Sequence, residues 1–273
     1  MSIAAKLTIA PDPGDIGLTR KIRGLDEDGK QVDLSVIEER PLTIYLNAQE
    51  IVTAMTIGDY PEYLALGFLR NQGMLPDYAE VIGVDYDQEV EAVIVRTRTQ
   101  TDFEEKLRRK TRTSGCAVGT VFGDMMEGLE GLTLPQTDLR EEWLFSLAKA
   151  INTMPSLYLQ AGAIHGTVLC QKDQPMVYME DVGRHNAVDK VAGWMLSEQV
   201  GAVDKILYTT GRLTSEMVIK TATMGIPILV SRSGFTAWGV EIARKTGLTL
   251  IGRLRGQRYI CLSGSERLIR KST

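Results

Sequence analysis

Apolar and polar positions change period along this chain, and each change marks an element. Leu42–Leu46 and Glu50–Ile57 are rich in Ile, Val and Thr and flank Asn47, which predicts two strands of a hairpin with Asn47 in the turn. At Pro61–Asn71 the period lengthens. Leu64, Leu66, Phe68 and Leu69 form an apolar side and Gly73 follows as a stop, the pattern of a helix. In Glu91–Arg98, Ala92, Ile94 and Arg96 alternate with Val93, Val95 and Thr97, which predicts another strand, and Phe103–Lys110 reads as helical. Thr111–Gly123 is rich in Thr and Gly and keeps neither period. Trp143, Leu144, Leu147 and Ile151 then share one face of an amphipathic helix over Glu141–Ile151.

From about residue 160 the two periods alternate. Strands are predicted at Ala163–Cys170, Pro175–Met179, Lys205–Thr210, Ile226–Ser231, Leu248–Arg253 and Tyr259–Leu262. Helices are predicted at Arg184–Leu196, Thr214–Thr223 and Ala237–Thr246. Strands spaced by helical stretches imply crossover units and a largely parallel sheet. In such sheets ligands sit beyond the carboxyl ends of the strands. Three loops hold that position: Thr210-Gly211-Arg212, Ser231-Arg232-Ser233-Gly234 and Arg253–Arg258. The expected fold class is α/β. An N-terminal α+β portion spans residues 1–110, a cysteine-bearing loop region 111–137 and a C-terminal α/β domain 138–273.

Composition narrows the function. Hydrophobic residues at 44% and charged residues at 24% are ordinary globular values, which excludes a mostly disordered chain. A net charge of −4 speaks against general nucleic-acid binding, which leans on a basic face. No stretch reads as a membrane span: Ile151–Gln171, a long run free of Asp, Glu, Lys and Arg, is broken by Pro155, Gly162 and Gly166. The start, Met1–Ile9, lacks the apolar core of a secretory signal, so a cytoplasmic protein is expected. The three cysteines, Cys116, Cys170 and Cys261, are widely spaced and give no disulfide framework. With two histidines and no close cysteine pair, no metal site is expected. No phosphate-loop, no Gly-x-Gly-x-x-Gly fingerprint and no zinc-deaminase pattern occurs.

Cys116 lies among small residues in Thr113-Ser114-Gly115-Cys116-Ala117-Val118-Gly119. Lys106-Leu107-Arg108-Arg109-Lys110-Thr111-Arg112 stands just before it, five cations in seven positions. Nearby cations favour thiolate, the form that accepts and hands on sulfur. The plainer alternative is a solvated basic face and a small packing residue. Cys170 and Cys261 sit in apolar, strand-like runs and read as core. His165 and His185 have two readings each, a packing residue or a ligand contact. Glu180-Asp181-Val182-Gly183-Arg184-His185-Asn186, at a strand-to-helix junction, could order a loop, or its acids could orient a histidine and raise its pKa. The Gly-, Arg- and hydroxyl-bearing loops after the strands suit phosphate, with solvated strand ends as the competing reading.

These motifs together resemble a known family, the formate dehydrogenase accessory sulfurtransferases called FdhD or NarQ. The resemblance runs from about Pro41 to Arg267. It rests on Tyr63-Leu64-Ala65-Leu66-Gly67-Phe68-Leu69, Thr113-Ser114-Gly115-Cys116, Glu180–Lys190, Thr209–Lys220, Gly225–Ser233 and Gly247–Gly256. It implies a cytidine-deaminase-like C-terminal α/β/α domain without the zinc. It also implies a sulfur carrier that takes persulfide sulfur from a cysteine desulfurase. The carrier passes that sulfur to the bis-guanine-dinucleotide molybdenum cofactor, which then enters the formate dehydrogenase apoenzyme. By position, Cys116 matches the persulfide-bearing cysteine, and Arg253, Leu254, Arg255, Gly256, Gln257 and Arg258 match the cofactor-binding stretch. His165, Arg184, His185, Thr210, Arg212 and Ser233 are expected to add contacts, and a homodimer is expected. A cofactor chaperone without sulfur chemistry is the runner-up, and a small-molecule α/β enzyme the third reading. Many members carry Cys-x-x-Cys in the loop; here the second position is Gly119, which favours direct transfer by one thiol or a helper thiol from elsewhere. Gly166-Thr167 stands where many members have alanines, and a small packing effect is expected there.

Overall fold

The computed structural model describes residues 7–75, 81–98, 129 and 131–270. Phe103–Lys110, Thr111–Gly123 and Cys116 lie outside the described residues.

The N-terminal part begins with a two-stranded hairpin, β1 (Thr19–Leu25) and β2 (Gln31–Ile37). Next come β3 (Arg40–Leu46), β4 (Gln49–Thr56), helix α1 (Pro61–Asn71), β5 (Val81–Asp87) and β6 (Ala92–Thr97). Strands β3 to β6 form one sheet in the order β4-β3-β6-β5. Asn47 turns the β3–β4 hairpin at φ 54, a left-handed conformation that asparagine tolerates. Pro61 stands at the first helical position and Gly73, at φ 70, lies just past the end. The apolar face of α1, Leu64, Ala65 and Leu69, packs on Leu42, Ile44, Val93 and Val95 of the sheet.

The larger part contains β7 (Leu139–Arg140), α2 (Glu141–Thr153), α3 (Leu157–Ala161), β8 (His165–Gln171) and β9 (Gln174–Asp181). It continues with α4 (Arg184–Ser197), β10 (Lys205–Thr209), α5 (Ser215–Thr223), β11 (Ile228–Ser231), α6 (Ala237–Thr246), β12 (Thr249–Arg255), β13 (Arg258–Ser263) and β14 (Leu268–Ile269). Six strands make one sheet, β13-β12-β11-β10-β8-β9. Alternation along its strands feeds two cores. Leu169, Leu207, Leu229 and Leu250 pack against Val188, Val191 and Trp194 of α4 and Met217 and Val218 of α5. Val168, Ile206, Tyr208, Ile228 and Val230 pack against Leu144, Leu147 and Ile151 of α2. The sheet is thus covered on both faces.

The expected largely parallel sheet is corrected: it is mixed. β10–β11 and β11–β12 are parallel, joined through α5 and α6. β8–β9, β8–β10 and β12–β13 are antiparallel. The reason is connection length. Two residues between β8 and β9 allow only a hairpin, since a parallel crossover needs a dozen or more.

Helices α1 and α4 join the two parts at unusually short range. A Cβ on Gly67 would lie 1.7 Å from the Asp189 carbonyl oxygen, and one on Gly193 would lie 1.9 Å from that of Tyr63. Ion pairs seal the same contact. The fully buried Lys190 ammonium lies 2.6 Å from Asp181 and 2.5 Å from Asp59, and donates to the Glu180 carbonyl at 3.0 Å. Burial works against that ammonium, but the Asp181 and Asp59 carboxylates outweigh it and hold Lys190 above the usual lysine value. Lys220 pairs with buried Asp189 at 2.6 Å, and Asn71 of α1 donates to the same carboxylate at 2.7 Å.

Candidate functional site

The strand pairings bring the predicted loops to one edge of the six-stranded sheet. His165 opens β8 opposite Asp181, which ends β9, and Thr209 ends β10 beside Ser231, the end of β11. Arg253–Arg255 close β12 on the same side. The loops are stitched together by hydrogen bonds. Thr210 N donates to the Gly166 carbonyl at 2.9 Å, and Gly166 N donates back to Thr210 Oγ1 at 3.0 Å. Ser231 Oγ donates to the Gly211 carbonyl at 2.6 Å, and Arg253 N to the Ser233 carbonyl at 2.9 Å. The edge is therefore ordered by the protein itself.

Two clefts flank the β12–β13 turn. One, of about 650 Å³, is lined by Arg232, Ser233, Gly234, Arg253, Arg255, Arg258 and Tyr259. Arg255 and Arg258 face each other across the hairpin. Arg253 has φ 55 beside an irregularity in the ladder, and its guanidinium lies 5.4 Å over the Phe235 ring. Arg232 donates to Asn152 Oδ1 at 3.1 Å and lies 5.4 Å over Tyr158. Four arginines around one opening suit a polyanion. The other cleft, of about 500 Å³, lies toward α2 and is lined by Phe145, Lys149, Asn152, Thr153, Gly256 and Gln257. Leu254 points into the core and is fully buried, so it packs rather than offering a polar contact.

At the other end of the edge, Arg184 and His185 form the first turn of α4. His185 Nε2 is 3.4 Å from Glu216 Oε2, a residue of α5 that sequence reasoning missed although Thr214-Ser215-Glu216 opens a predicted helix. Asn152 was missed too; it sits on the exposed side of an amphipathic pattern, where nothing marks it.

The histidine pKa values are not raised overall: burial, with Arg184 and Arg212, outweighs the upward pull of Asp181 on His165. Burial pulls His185 down to about 2, helped by Lys220, Arg184, His165 and Arg212. Burial also lowers His165, with Arg184 and Arg212 adding to the effect. Asp181 is engaged elsewhere: besides Lys190 it accepts from Thr56 Oγ1 at 2.5 Å, Asn186 Nδ2 at 2.9 Å and Gly183 N at 3.0 Å. Glu180 caps α3 by accepting from Leu157 N and Tyr158 N, both at 2.9 Å. Loop ordering, one of the two sequence readings, is what these acids do. Gly166 lies under Tyr178, whose ring would come within 2.5 Å of an added Cβ.

Cys170 is fully buried, and burial pushes its thiol far above the usual range. Cys261 is half-buried and its thiol is also raised, by burial first. Among the described residues no helix is long and apolar enough to cross a membrane.

Residues 37–269 match the family model described as the FdhD/NarQ family. A relative in Listeria monocytogenes, named sulfur carrier protein FdhD, is 30% identical over 93% of this chain and 99% of its own length. One of the same name in Bacillus subtilis is 27% identical over 88% of this chain and 94% of its own. The crystal structure of a candidate formate dehydrogenase accessory protein from Desulfotalea psychrophila superposes with a TM-score of 0.75 at 30% identity. It covers 92% of this chain and 98% of that one.

Proposed function

This chain belongs to the FdhD/NarQ family, and on that premise we propose that it is a sulfur carrier for formate dehydrogenase maturation, with Cys116 as the carrying thiol. Cys116 thiolate attacks the outer sulfur of a desulfurase persulfide. The donor's S–S bond breaks, its thiolate leaves, and a new S–S bond forms on Cys116. Handing the outer sulfur to a nucleophile on the acceptor returns Cys116 as thiolate. That cycle uses no second thiol, in keeping with Gly119.

One observation carries the assignment to Cys116: the other two thiols are unsuited. Cys170 has no access, and burial keeps both Cys170 and Cys261 protonated. The basic run Lys106–Arg112 favours thiolate at Cys116. Incubation with a cysteine desulfurase and sulfur-labelled cysteine tests the activity. The chain should retain label that a thiol reductant releases. A chain that binds nucleotide yet takes no label would be a cofactor chaperone instead.

The acceptor is the bis-guanine-dinucleotide molybdenum cofactor, held as cargo with its phosphates in the arginine cleft. Arg253, Arg255, Arg258 and Arg232 supply charge, and Ser233 and Gly234 line the wall. The Arg255→Ala, Arg258→Ala double variant should weaken GDP binding by about 2–4 kcal/mol, from the loss of two charge-assisted contacts. Calorimetry giving wild-type affinity would move the nucleotide away from this cleft. A homodimer and the closer likeness to zinc-free cytidine deaminases belong to the same proposal and rest on the resemblance; a cytoplasmic location and the domain limits at residues 110 and 137 belong to it too and rest on the sequence pattern.

A further inference from the structure

A third cleft, of about 250 Å³, lies at the opposite end of the six-stranded sheet from the arginine cleft. The last turns of three helices line it: Arg70 of α1, Met195 and Leu196 of α4, and Met224, which caps α5. Ala192 and Val200 complete an apolar wall. Its place follows from the topology. Helix α4 starts at the carboxyl-end loops and runs 14 residues, about 20 Å, away from them. Val200 precedes β10 and Met224 precedes β11, at the amino ends of two strands whose carboxyl ends carry those loops. The helix ends are closed by their own backbone. Gly73 N donates to the Arg70 carbonyl at 3.0 Å, Val200 N to that of Met195 at 2.9 Å and Ile226 N to that of Thr221 at 3.2 Å. The cleft therefore offers side chains more than backbone, and Arg70 is the one charge among its described lining residues. Two of these residues are methionines, which repack to fit a partner, and Leu196 is exposed.

The segment that bears Cys116 is tethered at this same end. Cys116 lies between Arg98 and Leu129, the described residues nearest to it on either side. β4 is antiparallel to β3, β3 is parallel to β6, and β6 is antiparallel to β5. β4 and β5 thus point the same way, and α1 crosses back between them. The C-terminal end of α1, with Arg70, is therefore at the start of β5, where Val81 pairs with Thr97 at the end of β6. On the returning side, Thr137 Oγ1 donates to the carbonyl of Val203, in the same α4–β10 loop as Val200, at 2.5 Å. A Cβ on Gly225 would lie 3.5 Å from that of Ala202, so the end of α5 adjoins that loop. Both described flanks of the cysteine segment reach the surroundings of the cleft.

We propose that this cleft is where the sulfur donor, an enzyme carrying persulfide on a cysteine, docks, and that it seats one apolar side chain of leucine or methionine size from that enzyme's surface. The inference rests on the sulfur-carrier reading above and adds the surface on which the donor sits. Sulfur arrives at Cys116, whose flanks are held at this end, while the cargo cleft opens at the other. Donor and cargo then occupy the protein together without competing. An apolar anchor in a closely fitting pocket is the kind of contact that carries most of an interface's affinity. A second copy of the chain is a poorer occupant, because two-fold pairing sets like against like and two concavities do not fill each other.

Leu196→Lys and Met224→Lys each place a charge in the cleft, and a cation at a helix C-terminus is compatible with the fold. Val90→Lys is the control, at an exposed residue between β5 and β6. Binding of the full-length protein to purified cysteine desulfurase from the same organism is measured by calorimetry. Each cleft variant should bind about tenfold more weakly or worse, and Val90→Lys like wild type. Saturating GDP should leave the desulfurase affinity unchanged. Persulfide loading by the desulfurase should fall with affinity. Loading by inorganic polysulfide, in which the Cys116 thiolate attacks an S–S bond and a shortened polysulfide leaves, should match wild type. Wild-type affinity in both cleft variants, or undetectable binding by the wild-type protein, would overturn the proposal. So would a polysulfide-loading defect equal to the desulfurase defect, or a changed oligomeric state of the variants on sedimentation. If polysulfide loads none of the proteins while the cleft variants still lose the desulfurase, the carrier reading fails and the docking surface stands.

Discussion

Replacing Gly193 with alanine should destabilise the protein by more than about 3 kcal/mol, seen as a lower urea midpoint. The added Cβ would stand 1.9 Å from the Tyr63 carbonyl oxygen and 2.6 Å from its carbon, and both are backbone atoms that cannot swing away. Helix α1 would have to lift from α4. That movement would also stretch the Asp59–Lys190 and Asn71–Asp189 contacts across the same joint. Removing partners from buried charges is among the few single changes with effects this large. Gly201→Ala is the control, because an added Cβ there meets nothing within 4 Å. Equal stability of the two variants would mean that the helices are not held at this distance.

The second large effect is on activity. Cys116→Ala should remove all reductant-labile sulfur from the chain and support no formate dehydrogenase maturation. GDP binding should stay near wild type, because the described residues that line the arginine cleft, Arg232–Gly234, Arg253, Arg255 and Arg258–Ile260, are untouched by the change. Cys261→Ser, in contrast, should load normally, since its thiol is held protonated. Residual loading of Cys116→Ala near the wild-type level would place the carrier elsewhere. If it instead fell together with nucleotide affinity, the variant would be reporting a loss of structure and not the thiol's chemistry.

Local signals were legible and distant ones were not. Helix α1 begins at Pro61 and ends before Gly73, as its period and punctuation predict, and α6 spans Ala237–Thr246 as expected. The loops after β10, β11 and β12 also gather where alternating strands and helices place them. Strand direction was misjudged because it depends on the short Lys172–Asp173 link, not on any periodicity. The β1–β2 hairpin escaped notice because it has no buried face to pattern: Ile22 and Leu34 pair across it and both are exposed. Asp181 looked available to His185 four residues on, yet besides Gly183 and Asn186 its partners are Thr56, 125 positions away, and Lys190, nine residues on. Gly193 gave no sign of its role, since the backbone it touches belongs to Tyr63.

Peptide mapping by mass spectrometry after incubation with a cysteine desulfurase and cysteine tests the central claim most directly. The peptide containing Cys116 should gain the mass of one sulfur atom, and lose it on reduction, while the Cys170 and Cys261 peptides stay unmodified. Persulfide found mainly on Cys170 or Cys261, with Cys116 unmodified, would contradict the account.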